Sequence, residues 1–118
     1  MIEFAYFLML AFFLTHELDA VKRHEWRVLP LTSFLPEKIA EQVFIWAHFP
    51  LFLLLFLFGG FDPHSTTAFW ISVFSIVHIL LHIGFRNHPD YEFNNLSSWA
   101  IIVATGLFGA LHLLALHL

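Results

Sequence analysis

Apolar residues dominate four stretches of the chain, each long enough to cross a bilayer as a helix. The first runs from about Ile2 to Val21, and the polar run from Lys22 to Arg27 then leads into a connector bounded by Pro30 and Pro36. The second continues to Phe58 and stops at Gly59 and Gly60. Ser33 is placed to cap its start, and Pro36 and Glu37 suit a first helical turn. Ser65 or Thr66 can open the third stretch, which ends near Gly84, and Asn94 to Ser98 offer caps for a fourth that reaches Leu118. Spans 2–21, 36–58, 66–84 and 98–118 each match a hydrocarbon core of about 30 Å at ~1.5 Å rise per residue. The pattern predicts an all-α fold: one transmembrane domain, a four-helix bundle with successive helices running up and down.

Polar side chains inside such spans turn toward the bundle, so their spacing marks the inner face of each helix. Ser72, Ser75, His78 and His82 share one face of the third helix, and Ser98, Thr105, Gly109 and His112 share one face of the fourth. Glu41 and His48 mark the second. In the first, His16 and Asp19 lie together, with Glu17 roughly 100° away. Counted from the end that carries the basic connector, His16, Glu17, Asp19, Glu41, His78 and His82 fall within roughly 10 Å, whereas His48 and His112 fall roughly 18 to 22 Å in. Pro50 predicts a kink that frees the Trp46 carbonyl near His48.

Composition fixes the solvent. Of 118 residues 59% are hydrophobic and 12% charged, which leaves no room for a separate water-soluble domain. The N-terminal helix lacks a basic leading region and a small-residue cleavage site, and reads as retained. Five basic residues against a net charge of −4 form no patch for nucleic acid. All five, Lys22, Arg23, Arg27, Lys38 and Arg86, fall on one side of the predicted bundle, which makes that side cytoplasmic and places both termini outside. There is no cysteine, so any metal must be held by nitrogen and oxygen.

Nine histidines are more than an anchor needs. His78 and His82, four apart, present two imidazoles from one rigid helix, and His16 supplies a third from another. Glu17, Asp19 or Glu41 then acts as a further ligand, as an acid or base, or as an orienting group. Zinc suits such a set, and so does iron, since two histidines and a carboxylate form an iron(II) site. His88 and Glu92 lie in a loop that can fold over the site and add a ligand, although a turn at Asn87 to Asp90 accounts for them equally. Two other readings stand beside this one. Histidines in spans also serve as hydrogen-bonding glue between helices, and His48 with His112, at similar depth, could be the axial pair of a b-type haem. His24 and Glu25 read as solvated, His64 and His117 as interfacial, and Trp26 and Trp99 as part of an aromatic belt.

The segment HELDAVKRHEWRVLPL resembles the signature of a small bacterial, often cyanobacterial, membrane family of unknown function. More loosely it is similar to HXXEE-domain membrane proteins, whose first helix ends in His-x-x-Glu-Glu and whose later helix carries a histidine before a short polar loop. Here Asp19 stands for the first glutamate and Ala20 for the second, and His78 to His82 followed by RNHPDYEFNN resembles the later element. The resemblance implies a joint site of His16, Asp19, His78 and His82, and a bacterial inner or thylakoid membrane. Two functional classes result. One is a metal-dependent membrane enzyme, a hydrolase or an oxidoreductase, acting on a lipid-soluble substrate. The other is a non-catalytic scaffold or accessory subunit of a larger membrane complex. Transport would need a homo-oligomer, for which Gly106, Gly109 and Ala110 offer a close-packing face.

Overall fold

Four helices form where the apolar stretches lie: α1 (Ile2–Lys22), α2 (Glu37–Leu57), α3 (Thr66–Phe85) and α4 (Leu96–His117). They come from a computed structural model that describes all 118 residues. All four are long and apolar enough to cross a membrane, and no strand is present.

The caps follow local chemistry. Ser65 accepts a hydrogen bond from the Ala68 amide at the start of α3, and Asn95 from the Ser98 amide at the start of α4. Ser33 caps nothing, because residues 30–34 form turns and the position before α2 is Pro36. Gly59 adopts φ 76° just past α2, a conformation that a side chain would strain. Pro50 sits within α2, which runs on past it to Leu57.

Pairings between helices give their directions. Tyr6 meets His112 while Asp19 meets Ser98, so α1 and α4 are antiparallel. Tyr6 packs in one cluster with Ala68, and His16 lies beside His78 and His82, so α1 and α3 run the same way. The tight core is therefore α1, α3 and α4. Gly106 and Gly109 are buried where α4 crosses α3; a Cβ on Gly109 would stand 1.9 Å from the Ser75 hydroxyl. The glycine face expected to serve an oligomer is thus consumed inside the protomer.

α2 behaves differently. It buries only Ala40 and Phe44, packed with the connector that follows α1, and meets the other helices sparingly, through Leu55 on the Tyr6–Ala68 cluster and His48 on Glu17. That connector is a packed element rather than a solvated loop. Trp26 is only 2% exposed, in contrast to the interfacial position expected for it, and clusters with Val28, Ala40, Phe44, Tyr91 and Phe93. Between α2 and the pair α1 and α3 lies a half-open cleft of about 790 Å³, walled mostly by leucine and phenylalanine.

Candidate metal centre

His78 and His82 lie one helical turn apart on the buried face of α3, and His16 on α1 meets both, with ring centroids 4.4 and 5.0 Å away. The fourth member comes from the connector. After α1 the chain reverses at His24, whose φ of 55° lies in the left-handed region that histidine tolerates better than most residues. A short 3₁₀ turn, Glu25–Arg27, follows, and it turns Glu25 inward. Neighbouring contacts hold this reversal. His24 Nδ1 lies 2.6 Å from a Glu92 carboxylate oxygen, Thr32 donates to the Trp26 carbonyl at 2.7 Å, and Arg27 forks onto Glu37.

Glu25 is thereby 9% exposed rather than solvated, and one of its oxygens faces the Nε2 atoms of all three histidines: 3.9 Å from His16, 3.7 Å from His78 and 3.4 Å from His82. These separations are too long for good hydrogen bonds. They are close to the edge of a tetrahedron around one ion, since bonds of ~2.0–2.1 Å set ligand atoms roughly 3.3–3.4 Å apart. One ligand atom from each of the four residues lies within 4.8 Å of the others. Both ring nitrogens of His16 and the Nε2 of His82 are buried without a hydrogen-bond partner, an arrangement that disfavours a purely structural role. Burial disfavours charge on Glu25, but the imidazoles of His16, His78 and His82 around it outweigh burial and hold the carboxyl well below the usual carboxylate range.

The loop between α3 and α4 closes one side. Phe93, fully buried, packs tilted against His16 and edge-on to His82, and the Tyr91 hydroxyl lies 2.8 Å from His82 Nδ1. Burial raises the Tyr91 pKa, and the nearby Glu25 charge raises it further, which keeps the phenol neutral. His16 stands behind the others, while Glu25, His78 and His82, together with Phe93, border the cleft beside α2.

The other candidate residues have separate partners. Glu17 faces the cleft and pairs with His48 Nε2 on α2, while His48 Nδ1 takes the Phe44 carbonyl. Asp19 accepts from the Ser98 hydroxyl and from Arg23. Glu92 joins His24 and Arg27, His88 accepts from the Asp90 amide within a turn, and Glu41 lies outside the cluster. His112 contacts Ser72 and the Pro63 carbonyl through its two ring nitrogens, so it shares no partner with His48. Both imidazoles of the haem reading thus have each nitrogen engaged.

Periodicity finds the three histidines because helices carry them. It misses Glu25 and Tyr91, which sit on connectors where the helical repeat says nothing. The available signal was composition: Trp26, Val28 and Leu29 beside Glu25, and Tyr91 and Phe93 in the later loop, are apolar bulk that anchors a connector to the bundle. No curated protein and no solved structure matches the chain. A family profile matches residues 2–118, and the chain belongs to that family, a family of unknown function designated DUF6713.

Proposed function

We propose that this protein is a metal-dependent membrane enzyme whose centre is His16, His78, His82 and Glu25, acting on a lipid-soluble substrate that approaches along the cleft. The observation that carries the reading is the convergence of three buried Nε2 atoms on one Glu25 oxygen at ion-sharing distances, with His16 otherwise unpartnered. Zinc or iron fits the nitrogen and oxygen donors, and either would polarise a carbonyl or activate a water where the cluster borders the cleft. Glu17, on the cleft wall against His48, is the carboxylate best placed to move protons there. Asp19, turned to Ser98 on α4, supports the bundle instead.

Elemental analysis of detergent-purified protein tests the centre. Protein from metal-supplemented cells is expected to carry zinc or iron near one equivalent. The paired substitution His78→Ala with His82→Ala should bring this below a tenth, whereas Glu17→Gln should leave it unchanged. A folded wild-type protein that holds neither metal under those conditions would rule the centre out.

A further inference from the structure

The cleft has a definite shape and polarity. Its lining runs along α3 from Thr66 to Phe85, a rise of roughly 30 Å, the thickness of a bilayer's hydrocarbon. Apolar side chains, leucine and phenylalanine above all, make up most of its wall. The strongly polar groups gather toward one end, where Glu25, His78, His82 and Tyr91 border the space and Glu17 and His48 sit just inside. At about 790 Å³ it lies within the usual range of small-molecule sites. The cleft exists because α2 is tied down mainly at the connector by Ala40 and Phe44, while Leu51 and Leu54 further along face the open space with no helix packed against them.

We infer that this cleft binds one long-chain carboxylate, with the aliphatic chain lying along α2 and α3 and the carboxylate head at Glu25, His78 and His82. The inference rests on the metal centre for its head and on the cleft alone for its chain. Around a divalent ion, three neutral imidazoles and one carboxylate leave a single net positive charge, which an anionic oxygen head neutralises. Beyond Glu17 and His48 the chain meets a mainly apolar wall, so its burial follows from hydrophobic area and needs no specific contact. Lateral entry from lipid is open, because α2 does not close against α3.

Photolabelling tests the site: detergent-purified full-length protein is irradiated with a hexadecanoic acid carrying a mid-chain diazirine, and metal content is measured on the same sample. Adducts are expected on cleft residues of α2 and α3 rather than on the outward Leu107, Leu111 and Leu114 of α4. Excess unlabelled hexadecanoic acid should reduce them at least fivefold. Ala47→Trp, which fills the cleft from an exposed position on α2, should do the same with metal content unchanged; Leu51→Trp is the second such variant. Adducts spread evenly over α4, or competition by diacyl phosphatidylcholine as effective as by the free acid, would overturn the proposal and leave the metal centre standing. Competable labelling of the cleft in metal-free protein would uphold the chain site and remove the metal centre.

Discussion

Tyr91 illustrates how much of the centre depends on one side chain that is not a ligand. A neutral imidazole that offers Nε2 to an ion carries its hydrogen on Nδ1, and for His82 the Tyr91 oxygen is 2.8 Å away to accept it. Tyr91→Phe keeps the buried ring beside Phe93 and removes only that acceptor. Metal affinity measured by chelator competition is expected to fall about 10- to 100-fold, as for other groups that orient a ligating histidine. An unchanged affinity would mean that His82 is held by packing alone. At this scale the sequence shows the histidines plainly, because His78 and His82 share a helix face and His16 lies on an inward face of its own. Glu25 was hidden by the reversal at His24, which no helical repeat anticipates. The carboxylates nearest His16 in the chain have other partners: Glu17, roughly 100° round α1, pairs with His48 on α2, and Asp19, near the His16 face by spacing, turns to Ser98 on α4.

Among the elements, α3 and α4 show the closest agreement between polar stripe and contact. Ser72, Ser75, Gly106 and Gly109 all lie in the buried α3–α4 interface, where small residues let two backbones approach. A Cβ on Gly109 would meet the Ser75 hydroxyl at 1.9 Å and the rigid Ser72 carbonyl at 3.1 Å, whereas one on Gly106 would mainly meet the Ile79 side chain, which can turn away. Gly109→Ala should therefore destabilise the folded bundle by about 1–3 kcal/mol, and Gly106→Ala by less. Unfolding in a graded mixture of mild detergent and dodecyl sulfate would measure both, and equal stability of the two variants would refute this account of the interface. The second helix was harder to place from its stripe. Counting depth from a common plane put His48 level with His112, yet His48 pairs with Glu17, near the opposite end of α1 from the Tyr6 that packs on His112. The 23–36 connector is long enough to set α2 at its own level and distance, which a residue count cannot register.

For the molecule as a whole, the centre lies at the end that carries every lysine and arginine. Lys22, Arg23, Arg27 and Lys38 surround the connector that delivers Glu25, and Arg86 opens the loop that delivers Tyr91 and Phe93. At the other end Glu3 and Asp62 stand with no lysine or arginine. Retention of lysine and arginine on the cytoplasmic side depends on their number near the spans, and pairing of Arg27 with Glu37 does not alter that count. The basic end is therefore expected to face the cytoplasm, with the proposed metal centre just beneath that surface. Because the chain contains no cysteine, single introduced thiols report sidedness without background. Ser33→Cys and Asn87→Cys, both at exposed positions of the basic end, should react with a membrane-impermeant maleimide only after spheroplasts of an expressing bacterium are permeabilised. His64→Cys, exposed in the opposite loop, should react in intact spheroplasts. The inverse pattern would place the centre at the outer face, where lysine and arginine counts would have failed as a guide and any ion would be drawn from outside the cell.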